Sequence, residues 1–169
     1  MTEPGDADEL SGDDLDAWSS LATLLEWLPP ALDADLVRDH DLTHFEYGVL
    51  YALADAPHRS LRMSVLAGYA NSSLSRLSRA VSRLQERGWI QRARDPDDGR
   101  STLATLTDEG FAVFERATPG HVRVVTRLVL DPLTRAQRRQ LQEIARRIQR
   151  AIRAEDGWRQ ESGLGSRMP

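Results

Sequence analysis

Between residues 72 and 83 the sequence SSLSRLSRAVSR places Ser72, Ser75, Arg76, Arg79 and Arg83 so that, wound as a helix, they share one side. Opposite them fall Leu74, Leu77, Val81 and Leu84, a core-facing stripe. No carboxylate joins the outward side until Glu86. A solvated helix face ordinarily mixes both signs of charge, so three turns of one sign favour an anionic partner over plain exposure. Guanidinium groups can bond bidentately to guanine O6 and N7, and small hydroxyls reach a base edge or a phosphate. Serines at the helix start admit close backbone approach, where the amide dipoles favour a phosphate. The chemistry this pattern suits is contact with double-stranded DNA through its major groove.

Other chemistry is scarce. With no Cys, the chain has no disulfide, no thiolate metal ligand and no cysteine nucleophile. Of His40, His44, His58 and His121, the first two stand i, i+4, but Thr43 reads as a cap between helices and breaks a chelating geometry, so no metal site is expected. No Gly-rich phosphate loop, nucleophile elbow or paired-carboxylate motif is present, so neither an enzyme nor a cofactor is expected. Trp18, Trp27, His44, Tyr47 and Tyr51 join apolar bodies to polar tips and are the candidates for lining a small-molecule pocket. Aromatic residues at helical spacing are more often core.

The elements that must position these groups follow from periodicity. The 169 residues suffice for one domain with a sizeable core, and their net charge of -4 conceals a gradient. Residues 1–46 carry 13 acids against one Arg, residues 47–100 nine Arg against 5 acids, and residues 101–169 twelve Arg against 8 acids. All 22 cations are Arg, a bias that genome composition could also produce. The acidic N-terminus lacks a signal-peptide pattern and no apolar run could cross a bilayer, so a soluble, cytoplasmic chain without a membrane partner is expected.

Residues 1–13 read as a disordered acidic tail. From Asp14 to Leu28 an amphipathic helix carries Leu15, Trp18, Leu21, Leu25 and Leu28; Pro29-Pro30 should stop or kink it before a helical pattern resumes at Ala31–Val37. Thr43 and Glu46 form a capping box opening a second helix that ends near Ala56-Pro57. Ser60-Leu61-Arg62 is too short to classify alone. A short helix over Met63–Tyr69, a turn at Ala70-Asn71-Ser72 and a helix from Ser73 to Arg87, with Gly88 as its C-cap, make a helix-turn-helix. Trp89–Asp95 and Ser101–Leu106 read as strands, with the Asp-Gly step in the intervening turn supplying positive φ, a β-wing directly behind that motif. Thr107 then caps a long helix interrupted at Pro119-Gly120, and Thr134 with Gln137 opens a last helix with Leu141, Ile144, Ala145, Ile148 and Ile152 on one face. Its Arg-rich outer face, Arg135, Arg138, Arg139, Arg146, Arg147 and Arg150, is either solvated or paired with the acidic first 46 residues of either chain. Residues 157–169 read as a flexible tail. The fold class is thus mainly α with a small β-wing.

These pieces resemble the MarR family of winged helix-turn-helix regulators. The resemblance is carried by LRMSVLAGYANSSLSRLSRAVSRLQERGWIQR (61–92), the wing DPDDGRSTLATLTDEG (95–110) and the junction DPLTRAQ (131–137), and covers about residues 14–154. It implies a winged helix-turn-helix over 43–106, flanked by dimerisation helices over 14–42 and 107–156. It further implies that Arg76 and Arg79 lead the base readers, and that Arg100, held by Asp98, reaches into the minor groove. By the same resemblance, two-fold dimers read a pseudo-palindromic operator, most often as repressors, and a small aromatic or anionic effector between the dimerisation helices and the winged helix loosens DNA. A protein-interaction module, or a ligand sensor without a primary DNA role, are the alternative readings.

Overall fold

The computed structural model describes residues 9–70 and 72–155; most of the expected acidic tail and all of the expected C-terminal tail lie outside the described residues. Helix α1 spans Gly12–His40 and runs through Pro29 and Pro30 without a break. The expected stop is absent because the two prolines remove only two amide donors, and this stretch is exposed, so water can satisfy the carbonyls left over. Its C-terminal half is anchored by buried Leu32 and Leu36. Asp41 ends it in the left-handed conformation, φ 54°, with its amide donating to the Val37 carbonyl.

Helix α2 (His44–Asp55) opens on the capping box expected from Thr43 and Glu46. Strand β1 (Ser60–Arg62), α3 (Met63–Tyr69) and α4 (Leu74–Glu86) follow. Helix α4 closes with Gly88 at φ 75°, where the Gly88 amide donates to Gln85 and the Trp89 amide to Leu84, a Schellman arrangement. Strands β2 (Ile90–Arg94) and β3 (Thr102–Leu106) form the wing. The sheet order is β1-β3-β2, antiparallel throughout, with Ser60 opposite Thr105 and Ile90 opposite Leu106. Ser60-Leu61-Arg62, unclassifiable from sequence, is therefore a third strand, and pairing alone makes it one.

Helix α5 spans Asp108–Val125 and passes into a π-helical stretch, Thr126–Leu130. The interruption expected at Pro119-Gly120 does not occur. Val113 and Ala117 before it and Val124 after it are all buried, and that packing offsets the proline's lost hydrogen bond. Helix α6 (Arg135–Glu155) starts where Thr134 and Gln137 cap it. The core collects Leu42, Val49, Leu50 and Leu53 from α2 and its approach, Leu66 from α3, Leu77, Val81 and Leu84 from α4, and Ile90, Ala104 and Leu106 from the wing. None of the helices among the described residues is long and apolar enough to cross a membrane.

Candidate nucleic-acid interface

Seating fixes which face of α4 looks outward. Leu77, Ala80, Val81 and Leu84 are buried, so Ser75, Arg76, Arg79 and Arg83 are exposed, with Ser72 half-buried just before the helix. Leu74, expected in the core, is 56% exposed. The helix meets the core only from its second turn, and Ala80 completes the stripe in place of Leu74. Ser73 caps the helix, its hydroxyl accepting from the Arg76 amide at 3.3 Å.

The four arginines expected at a DNA face are not equivalent. Arg79 and Arg100 make no side-chain hydrogen bond or ion pair within the described residues. Arg76 lies over the Phe45 ring, 4.4 Å from its centroid. Arg83 donates from Nε to Glu46 Oε1 at 2.8 Å, which ties its Nε edge to α2 while the side chain stays 53% exposed. Glu46 is itself buried; burial pushes its carboxyl up, but the Thr43 amide, the Arg83 guanidinium and the Thr43 hydroxyl outweigh that and hold it below the usual carboxylate range. Glu46 was legible as a cap, whereas its reach across to α4 had no sequence signal.

The wing tip differs from expectation in two respects. Asp98 does not pair with the Arg100 guanidinium: its Oδ1 accepts from the Arg100 amide at 3.1 Å and its Oδ2 from the Ser101 hydroxyl at 2.8 Å. Nor does Gly99 take positive φ. The segment between β2 and β3 is too long for a two-residue turn, so carboxylates close it by Asx-type bonds. Asp95 does the same at its base, accepting from the Asp97 amide at 2.9 Å and from Arg62 Nε at 2.6 Å. The Asp97 amide and the Arg62 guanidinium hold Asp95 below the usual carboxylate range against its burial. Sequence reading missed this pair, because Arg62 lies on the strand it could not classify.

The residues expected around a ligand separate into two sets. Trp18 and Trp27 are 52% and 73% exposed on α1. His44, Tyr47 and Tyr51 instead gather with α5: the His44 ring lies 5.1 Å and the Tyr47 ring 4.4 Å from that of His121, and Tyr51 meets Phe114 edge-on at 6.0 Å. Burial lowers the basicity of His44, against the pull of Asp33, and of His121, whose neighbour His44 adds to the effect. Their Nδ1 atoms are buried without a hydrogen-bond partner among the described residues. His121 also lines a cleft of about 320 Å³ between α1 and α5, whose walls carry Arg38, Arg123 and Arg127 together with the carboxylates of Asp35 and Asp39.

On the surface, Leu15, Trp18, Leu24, Leu25 and Trp27 of α1 and Leu141, Ile144, Ile148 and Ile152 of α6 are each 40% exposed or more. Among the described residues, Arg147 of α6 pairs with Glu143 and Arg138 with Asp131, both near neighbours.

Residues 40–101 match the family model described as MarR family. The crystal structure of Sco3205, a MarR family transcriptional regulator from Streptomyces coelicolor solved in complex with DNA, superposes with a TM-score of 0.81 at 41% identity, covering 93% of this chain and 96% of that one. PcaV, a transcriptional regulator from Streptomyces coelicolor solved with its natural ligand, gives a TM-score of 0.72 at 29% identity over 85% of this chain and 99% of PcaV. The transcriptional regulator HosA of Escherichia coli O111:H- is 34% identical over 79 residues, 47% of this chain and 57% of HosA. The chain thus spans about half the length of the curated relatives it matches.

Proposed function

The chain belongs to the MarR family of transcriptional regulators, and on that premise we propose that it binds double-stranded DNA as a homodimer through α4 and the β2–β3 wing. The observation that carries this reading is the outward face of α4, where Ser75, Arg76 and Arg79 stand exposed with no carboxylate among them. Arg79, without an intramolecular partner, is the leading base reader, and Arg76 is the second. Ser72 meets a phosphate at the helix start, and Arg100 enters the minor groove from a tip that Asp98 shapes through the backbone.

The open apolar stripes of α1 and α6 support the dimer, since each needs a partner that the described chain does not provide. A two-fold dimer reads two half-sites about 10 bp apart. Binding over a promoter would exclude polymerase, making the protein a cytoplasmic repressor. The α1–α5 cleft, with Arg123, Arg127 and His121 in its walls, suits a small aromatic or anionic effector that releases DNA.

Selection of bound sequences from random DNA tests the proposal. The expected product is a pseudo-palindrome, and Arg79→Ala should relax one position in each half-site at a cost of about 1–3 kcal/mol. Failure to enrich any symmetric sequence would overturn it.

A further inference from the structure

His44, Phe45 and Glu46 form the first turn of α2, and two of them grip α4. Phe45 lies under the Arg76 guanidinium, and Glu46 holds Arg83 Nε. Arg76 and Arg83 are seven positions apart, two helical turns, so they sit on the same side of α4 and α2 engages both ends of that side. Arg79, between them, is left alone. Glu46 is suited to the task because it is fixed from its own side: its Oε2 accepts from the Thr43 amide at 2.9 Å and from the Thr43 hydroxyl at 3.0 Å, leaving Oε1 for Arg83. A carboxylate 3% exposed and bound on both oxygens cannot swing away without losing several charge-assisted bonds.

We propose that Phe45 and Glu46 are positioning residues for DNA reading, Glu46 balancing the Arg83 charge and turning its Nε edge from the phosphates, and Phe45 orienting Arg76 toward its base. The inference rests on the DNA-binding reading above. Its physical content is specificity. A free arginine on a recognition helix binds any phosphate and strengthens all DNA alike, whereas one tied to a buried carboxylate adds nothing to non-specific affinity. A guanidinium stacked on a ring keeps its donor edge pointed in one direction, which costs less ordering when a base is met.

Salt titrations of binding to operator and to unrelated DNA, with full-length protein, test the assignment. Glu46→Gln keeps the helix cap's acceptor but loses the charge that holds Arg83. The expected result is a salt dependence of binding to unrelated DNA steeper by about one ion per chain, two per dimer, roughly tenfold more affinity lost between 50 and 200 mM salt, and a smaller ratio of operator to unrelated affinity. Glu46→Gln combined with Arg83→Gln should return the slope to its starting value. An unchanged slope in the single variant overturns the role of Glu46. Phe45→Leu supplies an independent arm should Glu46→Gln fold poorly: it should relax sequence preference at one position per half-site without altering the slope, and Phe45→Tyr should restore it. An even loss of affinity across sequences in Phe45→Leu would make Phe45 merely structural. If the unaltered protein shows no sequence-selective DNA binding, the function proposed above falls, and this assignment with it.

Discussion

Gly110 is the site where a single methyl group should do the most damage. A Cβ there would stand 2.1 Å from the Trp89 carbonyl oxygen, 2.9 Å from its carbon and 2.8 Å from Leu106 Cδ1. Leucine can rotate, but the carbonyl is backbone and is held in place, accepting from the Thr107 amide at 3.0 Å and the Thr107 hydroxyl at 3.1 Å. Relief requires a shift of about an ångström between the N-terminus of α5 and the start of β2. Crowding of this kind costs about 1–3 kcal/mol. Stretching two hydrogen bonds adds about 1–2 kcal/mol, while the better helix propensity of Ala returns about 1 kcal/mol. Gly110→Ala should therefore destabilise by about 1–4 kcal/mol net, a fall in Tm of roughly 2–16 °C for a domain of this size. Thermal unfolding by circular dichroism at one fixed protein concentration measures it, because an associating chain has a concentration-dependent Tm. A Tm equal to or above that of the unaltered protein would refute the reasoning, since it would mean that α5 and the wing are not in the contact described.

Stability should decline as pH falls below about 6.5, the ordinary histidine value, because the unfolded chain then takes up protons that burial denies His44 and His121 in the fold. The decline should level off once the folded histidines themselves protonate; denaturant titrations between pH 5 and 7.5 should show it, and His44→Gln with His121→Gln should flatten it. Unchanged pH dependence in that double variant would assign the effect elsewhere. Ile148→Glu on the open stripe of α6 should shift sedimentation from dimer to monomer while the far-ultraviolet spectrum stays helical, and a dimer that survives would remove α6 from the interface.

Most of the fold was legible because its elements announce themselves locally. Thr43 and Glu46, Gly88, and Thr134 with Gln137 mark helix ends by short-range bonds, and each of them formed. What sequence misplaced was decided at long range. Pro29, Pro30 and Pro119 look like breaks until their surroundings are known, solvent at the first two and packing at the third, and Ser60-Leu61-Arg62 becomes a strand only because Thr105 is opposite. Leu74 obeys the helical period of the core stripe yet projects beyond the core. The outward face of α4 was readable from period and charge alone. That Arg83 turns back to Glu46 was not, because the two are 37 residues apart and nothing in the spacing couples them. Asp98 was singled out for a bond to the Arg100 guanidinium that it does not make: a carboxylate two residues before an amide closes a turn with the backbone more readily than with a long mobile side chain.

The strand order β1-β3-β2 also sets a timetable for synthesis. Ser60 and Thr105, whose hydroxyls meet across the sheet, are 45 residues apart. At ribosomal rates of about 5–20 residues per second, β1 waits roughly 2–9 seconds for the strand that will cover its edge. In that interval α2, α3 and α4 can already assemble around Leu50, Leu66 and Leu77, while Leu61 and the edge of β1 stay uncovered. Helix α4 is thus made early, and β3, the last strand to emerge, covers the edge of β1. A nascent chain stalled before Thr102 would expose an unpaired strand edge, the feature that chaperones hold and neighbouring chains capture.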